Sequence, residues 1–328
     1  MDFQPVERAS EAFQQSLTAE EIGEVCRRAF GGDAMPVSAV ELGTGMYNSV
    51  YRVVLAGRAG PVILRVAPEE GRQFRSERHL MRNEYASLPW LAVIAPLMPR
   101  VLAADWSHEV IDRDWMIQSH LDGTPAPEHL GTYPRMVWPT FFREIGAIAR
   151  SVHGVRGPHF GPVDGPGYAL WSEAVIASLE EIAADLDGVG LDAADVRKVA
   201  AVAAHHRAVL DEVTEPMLLT GDLWTVNALM DPAAPEPTIT GVLDFDRTWF
   251  GDPAADWTIR MATAKEDERT AFWEAYGALD RSPAAVWRAR VYEARHLGTI
   301  RLERHRLAKA EAVRESYGAM AEVLAGLA

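Results

Sequence analysis

Two aspartates and an asparagine are the residues of this chain whose types and spacing best suit chemistry. Gly221, Asp222 and Asn227 belong to the segment GDLWTVN, which follows a short apolar stretch predicted to be a strand. Asp244 ends a β-branched stretch 17 residues after Asn227. A carboxylate can accept a proton from an alcohol, and Mg²⁺ prefers hard oxygen ligands. The pattern predicts phosphoryl transfer, with Asp222 as base and Asn227 and Asp244 as magnesium ligands.

A third element, Gly251-Asp252-Pro253 followed by Asp256, completes the pattern. The three elements together resemble the aminoglycoside phosphotransferase family, relatives of protein kinases. That family shows His-Gly-Asp-x-x-x-x-Asn, then Ile-Asp-(Trp/Phe), then Gly-Asp-Pro-x-x-Asp. The resemblance implies an α+β, two-lobed protein-kinase-like fold, with a small five-stranded antiparallel sheet lobe and a larger, mainly helical lobe.

Two residues depart from the family pattern. Thr220 stands where the family usually has His, so its hydroxyl is a candidate substitute for the supporting role of that His. Trp224 stands where many members have His, and sugar-amine kinases resembling fructosamine kinase carry Trp there. These departures bear on the substrate more than on the reaction class.

Three further aspartates have both functional and structural interpretations. Asp252 and Asp256 either line the substrate pocket or are structural, and we favour the structural role. In it Asp252 bonds the catalytic-loop backbone and Asp256 caps the next helix. Asp246 either touches a second metal or makes a buried hydrogen bond.

The pattern along the chain predicts two lobes joined by a linker. Residues 1–120 form a nucleotide-binding lobe with a leading helix at 18–30, where Thr18 and Glu21 have capping-box spacing. The Gly- and Pro-containing residues 121–127 form the hinge, and 128–328 a helical lobe with the catalytic loop and substrate site. The predicted strands of the first lobe are 37–42, 49–55, 61–67, 101–106 and 114–119.

Helical periodicity covers much of the remaining chain. One helix is predicted at 76–91, between the third and fourth strands. The helices predicted for the second lobe are 141–153, 170–186, 193–213, 266–279 and 284–327. The glycine-rich segment 157–171 between two of them either shapes a substrate pocket or is a surface loop pinned by Phe160 and Trp171.

A phosphate clamp in the first lobe must use arginine, because the first lysine of the chain is Lys198. Arg65 lies in the third predicted strand, where the kinase fold places a cation for the nucleotide phosphates. A charged residue among Val, Ile and Leu needs a partner. Glu84 on the helix is the expected partner, and Glu77 is a poorer alternative.

The resemblance also implies the other nucleotide contacts. Thr44, Asn48 and Ser49 belong to the small-residue loop between the first two strands, where backbone N–H groups can approach phosphates. Ser119 and Leu121 match the hinge whose backbone binds the purine. Backbone recognition leaves little side-chain signature, so ATP and GTP both stay open as donors.

Composition and charge limit the partners. A net charge of -15 argues against nucleic acid and favours a cationic partner, although acidity can also serve solubility alone. The sequence contains no run of eighteen apolar residues, so it predicts no membrane-spanning helix. The polar N-terminus is not typical of a signal peptide. The single cysteine, Cys26, excludes intrachain disulfides and cysteine zinc clusters. We therefore expect a cytoplasmic location.

These features predict an ATP- or GTP-dependent O-phosphotransferase that uses Mg²⁺. The acceptor is expected to be a small polar, cationic antibiotic such as an aminoglycoside, whose phosphorylation would confer resistance. Alternatives in the same class are a nucleoside antibiotic, a sugar-amine or another metabolite. An alternative from another class is a kinase-like binding protein that has lost catalysis.

Overall fold

A computed structural model describes residues 1–9, 12–43 and 45–327 in two compact units. The first unit comprises Met1–Gln73 and Pro96–Asp122, and the second comprises Phe74–Ala95 and Gly123–Ala328. The segment 76–91, predicted to be a helix, falls in the second unit. The predicted domain bounds and the function of each unit stay predictions.

A six-stranded mixed sheet forms the first unit. Its strand order is β1-β2-β3-β4-β6-β5, with β1 parallel to β2 and the other pairs antiparallel. The strands are β1 Asp2–Gln4, β2 Pro36–Leu42, β3 Ser49–Leu55, β4 Val62–Val66, β5 Val101–Asp105 and β6 Trp115–Ser119. The prediction of a five-stranded antiparallel sheet was wrong, because the short strand β1, only three residues long, adds a sixth strand that pairs in parallel with β2.

Alternating burial explains why the sheet covers a core. In β3, Ser49, Tyr51, Val53 and Leu55 are buried, whereas Arg52 between them is exposed. Helix α1 (Ala19–Phe30) packs its buried residues into the same core.

Helix α1 begins at the predicted capping box. The backbone N–H of Glu21 donates to Thr18 Oγ1 at 3.2 Å, and that of Thr18 donates to Glu21 Oε2 at 2.7 Å. This confirms the predicted start of the leading helix, since both orphan donors are satisfied.

The second unit is mainly helical, which confirms the α+β class. Two three-stranded sheets lie among its helices, in the orders β11-β10-β7 and β8-β12-β9. The short strands are β7 Thr124–Pro125, β8 Gly161–Pro162, β9 Met217–Leu218, β10 Ala228–Met230, β11 Ile239–Val242 and β12 Trp249–Gly251. The helices are α2 Leu80–Ser87, α3 Ala126–His129, α4 Trp138–His153, α5 Trp171–Gly188, α6 Ala194–His205, α7 Arg207–Leu210, α8 Trp257–Ala264, α9 Thr270–Tyr276, α10 Pro283–Arg306 and α11 Ala310–Ala325.

Two predicted helices are shorter than their periodicity suggested. Helix α2 begins only at Leu80, because His79 adopts a left-handed φ of 63°. The apolar pattern at 284–327 forms two helices, with a break at Ala308 where φ is 54°. Left-handed backbone cannot continue an α-helix, so an apolar stripe alone overestimates helix length.

The core of the second unit is built by α5, α6, α10 and α11. Trp171, Val196, Leu302 and Met320 are buried together there. Within the described residues, no helix is long and apolar enough to cross a membrane.

Candidate active site

The catalytic-loop candidate begins with a tight turn that only glycine can form. Gly221 has a φ of 80°, and a Cβ at this position would lie 2.4 Å from the carbonyl carbon of Arg247. The turn follows β9, and Leu219 N–H donates to the carbonyl of Trp249 at 2.8 Å. The backbone after Gly221 is therefore held against the Arg247–Trp249 segment.

Asp222 and Asn227 are in direct contact. Asn227 Nδ2 donates to the backbone carbonyl of Asp222 at 2.8 Å and to its Oδ2 at 3.2 Å. A single 3-10 turn, Thr225–Asn227, returns the chain to Asp222. The amide thus orients the carboxylate and holds the loop closed.

Asp244 follows β11 in a strained backbone conformation. Asp244 was predicted to end this strand, but the strand ends at Val242, and Asp244 has a φ of 67°. Leu243 N–H donates to the carbonyl of Asn227 at 2.9 Å, which brings the two predicted metal ligands onto adjacent backbone. A left-handed Asp is a costly conformation that clusters at functional sites.

The electrostatics of Asp222 reflect this crowding. Burial and the negative charge of Asp244 raise its pKa to about 7, while Arg247 and the hydrogen bond from Asn227 oppose the increase. The carboxyl therefore titrates near neutrality, as a group suited to proton exchange would.

Asp256 is the anchor of the loop. Its buried carboxylate accepts hydrogen bonds from Thr220 N–H at 2.6 Å, Thr220 Oγ1 at 2.8 Å, Gly221 N–H at 3.2 Å and Thr258 N–H at 3.4 Å. The last bond caps α8, as predicted. His153 Nε2 lies 2.6 Å from Asp256 Oδ2.

The prediction that Asp252 bonds the catalytic-loop backbone was wrong, because Asp256 performs both tasks. Asp252 caps the 3-10 turn through Ala254 N–H at 3.0 Å and accepts from Tyr292 Oη at 2.8 Å. Arg288 Nε lies 3.4 Å from it. Both aspartates thus have structural partners within the second unit.

Thr220 hydrogen-bonds through its hydroxyl, as proposed for the missing His. It is fully buried, donates to Asp256 and lies 2.8 Å from the Thr258 hydroxyl. The imidazole in this network comes from His153 at the end of α4, whose Nδ1 contacts Tyr276 Oη at 2.8 Å.

Trp224 packs beside the loop. Its ring makes an edge contact with Trp257 at a centroid distance of 6.1 Å, and its Nε1 is buried without a partner among the described residues. It also lines a small cavity together with Phe142, Met261 and Arg269.

The predicted nucleotide residues of the first unit are partly described. Arg65 is buried on β4, in register with Val50 on β3. Asn48 and Ser49 are buried; Ser49 Oγ donates to the carbonyl of Gln15 at 3.1 Å, and Asn48 Oδ1 has no partner among the described residues.

Thr44 lies outside the described residues. At the hinge, Ser119 ends β6 and exchanges two hydrogen bonds with Arg100, and Leu121 follows in irregular backbone. The predicted roles of these residues stay predictions.

Glu84 and Glu77 are both buried acids of the second unit. Glu84 lies on α2, and its pairing with Arg65 stays a prediction. Glu77, the alternative partner, binds Arg306 at 2.6 and 3.1 Å and Arg247 at 3.4 Å. Sequence reasoning missed Arg247, although its place directly after Asp246 could have indicated it.

The segment 157–171 is pinned to the second unit. Phe160 and Tyr168 exchange backbone hydrogen bonds at 3.0 and 2.9 Å, and the Phe160 ring lies 5.6 Å from that of Trp171. Strand β8 within it pairs with β12, five residues beyond Asp244. The predicted pinning by Phe160 and Trp171 is therefore observed.

Several solved structures have a fold similar to that of this chain. Aminoglycoside phosphotransferase APH(4)-Ia in a ternary complex with ADP and hygromycin B aligns with a TM-score of 0.62 at 17% identity, covering 93% of this chain and 98% of that chain. The GDP complex of a mutant aminoglycoside 2'-phosphotransferase-IIIa gives 0.60 at 16% identity, covering 92% and 96%. A protein described as a fructosamine-3-kinase from Haemophilus somnus gives 0.61 at 17%, covering 93% and 97%.

The chain belongs to the phosphotransferase enzyme family, whose profile matches residues 38–290. It is therefore a phosphotransferase with the kinase-like fold of that family. A comparison with curated proteins gave no significant match.

Proposed function

We propose that this enzyme transfers the γ-phosphoryl group of ATP or GTP to a hydroxyl of a small polar molecule. The observation that carries the proposal is the contact of Asn227 with Asp222, beside the left-handed Asp244. Family membership supports the reaction class, and the three residues match the order of the family's motifs.

In the proposed mechanism Asp222 is the base. The acceptor oxygen forms a bond to the γ-phosphorus while the bond from that phosphorus to the β–γ bridging oxygen breaks, and the electron pair leaves with the nucleoside diphosphate. The hydroxyl proton passes to Asp222. A pKa of about 7 suits this role, because a base works best when its pKa is near the working pH.

The donor set fits magnesium. Mg²⁺ takes one or two carboxylates together with phosphate oxygens, and Asp244 with the amide oxygen of Asn227 supplies such a set. The described residues contain no group of three His, Cys, Asp or Glu that could hold a metal ion. Phosphate oxygens and water would complete the shell. When bound, Mg²⁺ would neutralise the β- and γ-phosphate oxygens.

The proposed nucleotide contacts are those that the family resemblance implies. Arg65, paired with Glu84, clamps the α- and β-phosphates. The remaining proposed contacts are Thr44, Asn48, Ser49, Ser119 and Leu121. Relatives were solved with ADP and with GDP, which supports either purine as donor.

Two acceptor classes have specific support. A cationic antibiotic is supported by the net charge of -15 and by the hygromycin B bound to APH(4)-Ia. A sugar-amine is supported by Trp224 and by the similarity to a fructosamine-3-kinase. In both cases the acceptor would bind the helical unit that carries the catalytic loop.

The test is a phosphorylation assay with ATP or GTP, Mg²⁺ and a panel of aminoglycosides, peptide and nucleoside antibiotics and fructosamines. We expect turnover with at least one member, and its loss in Asp222→Ala. Binding of a panel member without turnover by the wild type would contradict the proposal and favour the binding-protein alternative.

A second measurement tests the metal ligands. ADP with Mg²⁺ should raise the melting temperature of the wild type more than ADP alone. In Asp244→Asn the increment due to Mg²⁺ should disappear while the effect of ADP alone persists. An unchanged increment would exclude Asp244 as a ligand.

A further inference from the structure

A buried carboxamide joins three segments of the second unit. Asn83, on α2, donates through Nδ2 to the backbone carbonyls of Asp246 at 2.8 Å and Thr248 at 3.0 Å. Its Oδ1 accepts from Asp164 N–H at 2.8 Å, in the segment 157–171. One side chain therefore connects α2, the backbone after Asp244 and the pinned loop.

Only a carboxamide fits these partners. Two backbone carbonyls need donors and one N–H needs an acceptor, and the Asn side chain offers both within one small plane. An aspartate would present oxygens to two carbonyls and leave them unsatisfied in a buried site. Such a loss is costly, because a buried polar group without a partner keeps its full desolvation penalty.

Ser87, one turn after Asn83, reinforces the same attachment. Its hydroxyl donates to the Asn83 carbonyl at 2.6 Å and is in contact with the Thr248 hydroxyl. The Thr248 hydroxyl also accepts from Asn83 Nδ2 at 3.0 Å. Residues four apart lie on the same face of a helix, so two side chains of α2 contact Thr248.

The backbone of residues 246–248, which Asn83 contacts, supports both Asp244 and Asp222 of the candidate site. Asp244, with its left-handed φ, lies two residues before Asp246. The Gly221 turn that leads to Asp222 packs directly on the backbone of Arg247 and Thr248. A displacement of 246–248 would therefore move Asp244 and Asp222 together.

We infer that Asn83 is a positioning residue that fixes the Asp244–Thr248 segment for metal binding and couples it to the 157–171 loop. The inference rests on the proposed function insofar as Asp244 binds the metal. The adjacent Glu84 shares α2, so the same helix carries a proposed nucleotide-clamp residue and the support of the metal segment.

The test compares Asn83→Asp with Ser316→Ala. Ser316 is a buried hydroxyl on α11 that accepts from Arg301 Nε at 2.9 Å, far along the chain from the junction, so its loss lowers stability without touching the site. Three quantities are measured: kcat, the dissociation constant of Mn²⁺ in the presence of ADP by electron paramagnetic resonance, and amide hydrogen exchange.

In Asn83→Asp we expect kcat to fall and the Mn²⁺ dissociation constant to rise, each about tenfold or more, as for other residues that orient metal ligands. Exchange should accelerate in residues 157–171 and 244–250 together. Ser316→Ala should lower the melting temperature but leave all three quantities near wild type. Ser87→Ala should show the Mn²⁺ effect in smaller degree, even if Asn83→Asp does not fold.

Two results would overturn the inference. One is Mn²⁺ binding in Asn83→Asp, or in Ser87→Ala if only that variant folds, equal to that of Ser316→Ala. The other is unchanged exchange in 157–171 in Asn83→Asp. If the wild type neither binds Mn²⁺ nor transfers phosphate, the proposed function fails instead, and the exchange measurement still decides whether Asn83 couples the two segments.

Discussion

Asp256 accepts hydrogen bonds from both the backbone N–H and the hydroxyl of Thr220, at 2.6 and 2.8 Å, and all of these groups are buried. The residue before the Gly221 turn is thereby tied to the N-terminus of α8, 36 residues later. One carboxylate thus anchors the start of the candidate catalytic loop, so substitutions of Asp256 should have large effects.

Asp256→Asn should destabilise the protein by about 3 kcal/mol, because it leaves buried donors unmatched. Asp252→Asn is the matched control, since its side chain is 14% exposed and binds outside the loop. Chemical denaturation of the two variants measures the difference. Equal losses of unfolding free energy in the two variants would contradict the anchoring role of Asp256.

The Asp256 carboxylate should also make the stability of the protein sensitive to acid. Burial alone would raise the pKa of Asp256, but hydrogen bonds from His153 and Thr220 hold it below its ordinary value. Its contribution to stability is therefore present at neutral pH and is lost as the pH falls below about 4. In Asp256→Asn that part of the acid dependence should be absent.

Thr220→Val should cost about 2 kcal/mol, because it keeps the shape but removes a hydroxyl shared by Asp256 and Thr258. Thr220→Ser keeps the hydroxyl and should lose less. Thermal unfolding with kcat measured below the transition separates stability from loop geometry. A smaller loss of stability in Thr220→Val than in Thr220→Ser would show that the methyl group matters more than the hydrogen bonds.

Asp222→Asn should reduce kcat by about 100-fold or more, as expected for removal of a general base. It should also stabilise the protein, because a carboxyl whose pKa is raised to about 7 disfavours folding once it ionises. The gain should grow from pH 4 to pH 7 and level off above, since the unfolded carboxyl ionises near pH 4. Melting temperatures at pH 5 and pH 8 test this; a larger gain at pH 5 would refute it.

The pH profile of kcat/KM should rise with pH through an ionisation near 7, which reports Asp222 in the free enzyme. Arg247→Ala should move this limb to higher pH, because the guanidinium lowers the pKa of Asp222. Arg247→Lys preserves the charge and serves as the control. An unmoved limb in the Ala variant would assign the ionisation to another group.

Much of the fold and of the candidate site could be predicted from local sequence patterns. The strand β3 and the capping box of α1 were predictable because alternation and side-chain capping act over a few residues. The motif predicted that Asp222 and Asn227 serve one site, and one short turn between them brings the two side chains into contact. Strand β1 was missed, because three residues are too few for a periodic pattern, and they become a strand only through pairing with β2.

The sequence by itself determined the phosphotransferase class and the order Asp222, Asn227, Asp244. Only the tertiary structure decided that Asp256, rather than Asp252, accepts the hydrogen bonds of the loop backbone. It also decided that Asn83 donates to the backbone of the segment after Asp244. These contacts join residues 36 and 163 positions apart. Neither propensity nor spacing encodes which distant donor meets a buried acceptor, because that pairing is settled only when the packed core removes water as the alternative partner.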